Sequence, residues 1–153
     1  MYIGTQDLLK QYDAYLLEHG YQIEELVNLA SDALLNHFTQ YNRFALLIGP
    51  GNNGADGYSL GLKLEKQGKH VIYYYSGDIG KVSQANRYYR DQCEENHLIY
   101  VDEDNINTIN WNDYDCIVDG LFGFGLNSAP RGMYKIMIES INNTYKGIVG
   151  AID

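Results

Sequence analysis

Phe44-Ala-Leu-Leu-Ile48 runs straight into Gly49-Pro-Gly-Asn-Asn-Gly-Ala-Asp-Gly57. An unbroken apolar run bounded by a Gly-Pro-Gly turn is the signature of a strand buried on both faces. The turn opens a helix that reads through to about Gln67, where Gly68 stops it. Working outward, the same rhythm repeats. His70–Tyr75 is a second strand, Ser83 is placed to cap a helix through about Glu95, and residues 98–101 form a third strand. Cys116-Ile-Val118 is a fourth strand ending in Asp119, a helix follows over about 133–142, and residues 147–152 are a last strand ending in Asp153. Upstream, Leu8, Tyr12, Tyr15 and Leu16 recur at helical spacing behind Thr5. Ile23, Leu26, Val27, Ala30, Leu34 and Phe38 repeat that spacing, so the first forty residues read as two helices. Strands apolar on both faces and alternating with helices require a parallel sheet covered on both sides. The predicted fold is α/β: a three-layer α/β/α sandwich, Rossmann-like, with a mostly parallel sheet and two N-terminal helices. Residues 102–113, rich in Asn and Asp, match no periodic element.

The chain has 153 residues, enough for one domain whose core needs no disulfides. With 11 basic against 20 acidic residues the formal charge is −9, which repels a phosphate backbone at long range and argues against nucleic-acid binding. A small anion held by backbone N–H groups is still compatible, because such a site is local. Cys93 and Cys116 build neither a disulfide framework nor a zinc site. No basic flank precedes an apolar stretch at the N-terminus, and no apolar run is long enough to span a membrane. These features predict a cytoplasmic protein that binds neither nucleic acid nor a membrane. A strand that ends in a carboxylate and leads nowhere predicts that residues 1–153 belong to a longer domain, lacking its C-terminal part.

In an open parallel sheet, ligands bind past the carboxyl ends of the strands. Three strands deliver polar groups to that edge: the glycine loop with Asn52, Asn53 and Asp56, then Asp119, then Asp153. Glycines let backbone come close to a ligand, and the two side-chain amides both donate and accept. Oxygen donors suit hard cations, and a strand-end carboxylate suits acid–base work. Gly49, Gly51 and Gly54 have the G-x-G-x-x-G spacing of a dinucleotide fingerprint, yet that spacing also marks a plain strand-to-helix turn. No Gly-Lys-Ser/Thr follows, so nucleoside triphosphate hydrolysis has no support. Asp56 and Gly57 have a bland alternative, opening the helix where an acid favours the dipole. His19, His37, His70 and His97 lack ligand spacing, and the two cysteines read as ordinary buried thiols. Tyr73-Tyr-Tyr75 reads as a strand alternating between faces; Trp111 is assigned no role.

Taken together, the motifs resemble the YjeF N-terminal domain family, the NAD(P)HX epimerases. Gly49-Pro-Gly-Asn-Asn-Gly-Ala-Asp-Gly57 resembles its signature loop, with Ala55 where the family has Gly. Val118-Asp-Gly-Leu-Phe-Gly-Phe-Gly125 resembles the second motif and Val149-Gly-Ala-Ile-Asp153 the third, and Asp13 stands at the Asp of the family's opening. The resemblance implies an isomerase that interconverts the R and S forms of hydrated NADH and NADPH (NADHX and NADPHX). That is a step of nicotinamide nucleotide repair, feeding a separate or fused NAD(P)HX dehydratase. It also implies a homodimer. Substrate binding is implied for Asn52, Asn53, Gly54, Ala55 and Asp56, and for Gly123, Phe124, Gly125, Leu126, Asn127, Ser128, Ala129 and Asp153. Asp153 is implied as the catalytic acid–base group, and Asn53 and Asp119 as ligands of a potassium ion. The Ser that completes the family's potassium site falls beyond Asp153, and Asn28 stands where the family carries an acid. The same domain also serves in the family as a non-catalytic scaffold for ligand or protein binding. A full polar set of Asn52, Asn53, Asp56, Asp119 and Asp153 favours catalysis over that role.

Overall fold

The computed structural model describes residues 2–3, 31–32, 34–121 and 132–152. Among these residues six strands form one sheet: β1 (Tyr2–Ile3), β2 (Arg43–Ile48), β3 (His70–Tyr75), β4 (Leu98–Tyr100), β5 (Cys116–Gly120) and β6 (Ile148–Ile152). The helices α1 (Asn52–Lys66), α2 (Gln84–Arg90) and α3 (Met133–Thr144) alternate with the later strands. Strand order is β1-β6-β5-β2-β3-β4, and every neighbouring pair is parallel. The chain grows outward from β2 to β3 and β4, then starts again at β5 on the other side of β2. Loops leaving β2 and β5 therefore part in opposite directions, and a crevice opens between their carboxyl ends.

The α/β sandwich expected from the sequence is the one observed. On one face α1, α2 and the segment around Phe38 bury Phe44, Leu46, Ile48, Tyr73 and Val118. On the other, α3 and the turns before β5 bury Ala45, Leu47, Tyr74 and Ile117. Successive strand side chains point to opposite layers, and both layers are apolar, which is why these runs carry no polar interruption. Tyr73 and Tyr74 obey the same alternation. Trp111, 1% exposed, lies in the second layer against Tyr74, with ring centroids 5.0 Å apart, and donates Nε1–H to Ser140 Oγ at 3.0 Å. The Asn- and Asp-rich stretch is thus a framework of two 3₁₀ turns, Ile106–Thr108 and Trp111–Asp113, that delivers Ile106 and Trp111 to the core. Side chains of Asp102, Asn105 and Asn110 take up the turn amides in place of a ladder.

Two features depart from the sequence reading. α2 ends at Arg90 and not near Glu95: the Gln92 and Cys93 N–H groups reach back only three residues, to Tyr89 and Arg90, and Glu94 is already extended. Tyr2–Ile3, too short to show a strand pattern, pairs with Ala151 and Ile152 as β1. Of the positions assigned to the two leading helices, Leu34 and Phe38 are described and both are buried. The others, and Asp13 and Asn28, lie outside the described residues. Cys116 is buried as read from the sequence, Cys93 only half-buried, and burial pushes both thiols up to about 12. Among the described residues no helix is long and apolar enough to cross a membrane.

Candidate active site

β2 ends at Ile48, and the chain must turn through Gly49–Gly51 to start α1 at Asn52. Gly49 N–H donates to Gly120 O at 2.9 Å, extending the β2–β5 ladder into the turn. A Cβ on Gly49 would stand 1.7 Å from Leu121 O, and one on Gly54 would stand 2.0 Å from Gly49 O. Both positions need glycine because backbone fills the space a side chain would take. Gly51 is different: it faces open space in an extended conformation. The fingerprint spacing therefore holds two sterically required glycines and one that backbone packing does not demand.

α1 starts at Gly51 without a side-chain cap, and no acid sits in its first turn. The first N–H groups of an α-helix point out of its N-terminus, and the helix dipole adds partial positive charge there. Asp56 is half-buried and lies a full turn in, so its position rules out the reading in which it opens the helix. Ala55 is 0% exposed with its methyl in the first-layer core. The methyl added relative to glycine faces away from the crevice, and only backbone at Ala55 could meet a ligand.

Asn53 reaches across to β6, donating Nδ2–H to Ile152 O at 2.7 Å. Asp119 is half-buried in β5, in register with Leu47 of β2 and Ala151 of β6, and its Oδ1 accepts Leu121 N–H at 3.0 Å. Asn53 O lies 3.4 Å from where a Gly120 Cβ would be. The start of α1, which carries Asn52, Asn53 and Gly54, thus borders the end of β5, which carries Asp119. Asp153 and residues 123–129 lie outside the described residues. The donors there, among the described residues, are oxygens, from the Asp119 carboxylate, the Asn53 amide and backbone carbonyls. Among the described residues no three His, Cys, Asp or Glu side chains gather to hold a metal ion. An all-oxygen donor set of this kind suits a hard cation better than a transition metal.

The family profile described as YjeF-related protein N-terminus matches residues 23–153. The chain belongs to this family. A relative from Anaerococcus prevotii named NAD(P)H-hydrate epimerase is 34% identical over 128 residues, covering 79% of this chain and 59% of the relative. One of the same name from Leuconostoc sp. (strain C2) is 28% identical over 160 residues, covering 100% of this chain and 68% of the relative. The crystal structure of yeast ynu0 superposes with a TM-score of 0.77 at 21% identity, covering 99% of this chain and 69% of that one, which supports the fold. The chain spans about three-fifths of the length of the Anaerococcus relative.

In this YjeF N-terminal domain one site residue was missed from the sequence. Asn86, on α2 and 1% exposed, donates Nδ2–H to Gly49 O at 2.7 Å and to Gly51 O at 3.1 Å. Ser83 caps the helix as expected, its Oγ accepting Asn86 N–H at 3.2 Å, and its own N–H donates to Pro50 O at 2.8 Å. A signal was present, since Asn is a poor helix former. Nothing in the sequence linked it to a loop 35 residues upstream.

Proposed function

We propose that this chain is the substrate-binding and catalytic region of an NAD(P)H-hydrate epimerase, interconverting the R and S forms of NADHX and NADPHX. One observation carries the reading: polar groups of three strand ends meet at the switch point. These are the Asn52–Asn53 start of α1, Asp119 on β5, and the end of β6, which Asn53 ties down through Ile152 O. Helix N–H groups suit the substrate's phosphates, while amide and carboxylate side chains suit its hydroxyl and ring. The reacting carbon carries a hydroxyl next to the ring nitrogen, so it is a hemiaminal centre. Inversion by loss and return of water, or by ring opening and closure, needs a proton given and taken back. Asp153, directly after Ile152, is the group proposed for that transfer. Asn52, Asn53 and Asp56 would orient the ring and phosphates, with residues 123–129 lining the same substrate. The product would pass to an NAD(P)HX dehydratase, fused or separate, in the cytoplasm, and the working enzyme would be a homodimer.

Asn53 and Asp119 are the residues that would hold a potassium ion, which would add positive charge beside the substrate phosphates. Potassium is expected to raise the melting temperature of the wild type and to do so much less in Asp119→Asn. An equal increment in both would remove Asp119 from the cation site.

Asn52 is exposed at the mouth of the crevice, which makes it the cleanest probe of ligand binding. Asn52→Ala is expected to weaken binding of nicotinamide mononucleotide about tenfold, the loss of one hydrogen bond to a charged group. Its stability should stay within about 0.5 kcal/mol of wild type. Calorimetric titration beside thermal melting checks both. Unchanged affinity with a lowered melting point would assign Asn52 to the fold and count against the nucleotide reading.

A further inference from the structure

The glycine loop is gripped along its carbonyl side. Three consecutive carbonyls, those of Gly49, Pro50 and Gly51, accept hydrogen bonds from Asn86 Nδ2, Ser83 N and again Asn86 Nδ2. The orientation of the Asn86 amide is dictated by chemistry. Two carbonyl oxygens lie within hydrogen-bond distance of one side-chain atom, and only the NH₂ end can serve both. The fit is also close: a Cβ on Gly54 would stand 2.6 Å from Asn86 Nδ2, so α1, the loop and Asn86 interlock.

Among the described residues there is no cis peptide bond. A trans peptide unit carries its N–H opposite its C=O. Pro50 O is held by Ser83 N–H, and Gly51 O is shared between Asn86 Nδ2 and Ala55 N–H of α1 at 3.2 Å, so the N–H groups of Gly51 and Asn52 are turned away from these donors. α2 follows β3, and β5 lies on the other side of β2 from β3. At its β2 end the same loop faces β5, where Gly49 N–H donates to Gly120 O at 2.9 Å.

We propose that Asn86 is a positioning residue: by fixing the carbonyls of the glycine loop it aims the Gly51 and Asn52 amides at the substrate's phosphate. Ligand identity rests on the nicotinamide-nucleotide reading above; the grip on the loop does not. Asn86→Asp keeps the shape but replaces the double donor with an anion facing two carbonyls. Asn86→Ser keeps one donor on a shorter stem.

The experiment measures three things in wild type and both variants: thermal melting, Kd for nicotinamide mononucleotide, and kcat and KM for NADHX epimerisation. For Asn86→Asp the expected result is a Kd and KM raised about 10- to 100-fold with a smaller change in kcat. Asn86→Ser should fall between that variant and wild type. A variant that melts lower but keeps wild-type Kd and KM would show a purely structural residue and overturn the proposal. Loss of folding in both variants would overturn it in the same way. Wild type that binds the mononucleotide more tightly than Asn86→Asp but leaves NADHX epimers untouched would sink the epimerase reading and leave this inference standing.

Discussion

Gly49→Ala and Gly54→Ala are expected to destabilise the protein by about 3 kcal/mol each and to disable the site, while Gly51→Ala melts close to wild type. The three glycines share one sequence pattern that runs from the loop into the first turn of α1, yet their surroundings differ. At Gly49 and Gly54 the added carbon would meet backbone oxygens at 1.7 and 2.0 Å, and no rotamer change relieves a backbone clash. Either the β2–β5 ladder opens at Gly49 N–H···O Gly120 or the loop pulls away from Asn86. Both movements take the amides off the crevice. At Gly51 no atom lies within 4 Å of the new carbon. For a chain of this length 1 kcal/mol moves the melting temperature by roughly 2–4 °C, so the contrast is well within reach of a melting experiment. Gly49→Ala melting with the wild type would show that the loop is not packed as described.

Asp153→Asn is expected to keep the melting behaviour and lower the NADHX epimerisation rate about 10²- to 10⁴-fold, the usual contribution of a general acid–base group. The side chain follows Ile152, whose carbonyl Asn53 holds at 2.7 Å, so the end of β6 is fastened to the start of α1. An amide at 153 is nearly isosteric with the carboxylate but neither donates nor accepts the proton at neutral pH. Mononucleotide affinity should change less than turnover, because the loop amides remain. A folded Asp153→Asn enzyme with near-wild-type turnover would move the acid–base role elsewhere.

Much of this was legible in the chain itself. Phe44-Ala-Leu-Leu-Ile48 reads as a buried strand because both of its faces meet apolar layers, and nothing polar is tolerated along it. Gly68 reads as a helix stop because its φ of +82° is one that side chains rarely adopt. Tyr2–Ile3 was not legible, since a strand of two residues exists only through its partner β6. Trp111 and its Asn-rich turns were not legible either, because side-chain hydrogen bonds hold them in place of periodic packing. At the site, Asn52, Asn53 and Asp119 are legible from their place at strand and helix ends, and the structure sets Asn53 beside the ends of β5 and β6. Asp56 also had a capping alternative, which only the observed start of α1 removes. Asn86 escaped notice because its role depends on a contact between two elements far apart in sequence, and a single sequence carries no trace of such a contact.

Starting from one pure epimer of NADHX, conversion to the other can be followed by NMR of the hydroxyl-bearing ring carbon. Conversion is expected to run faster than the spontaneous rate, in proportion to protein concentration, and to be strongly reduced in Asp153→Asn. A folded protein that binds nicotinamide mononucleotide yet leaves the epimers converting at the spontaneous rate would contradict the epimerase reading.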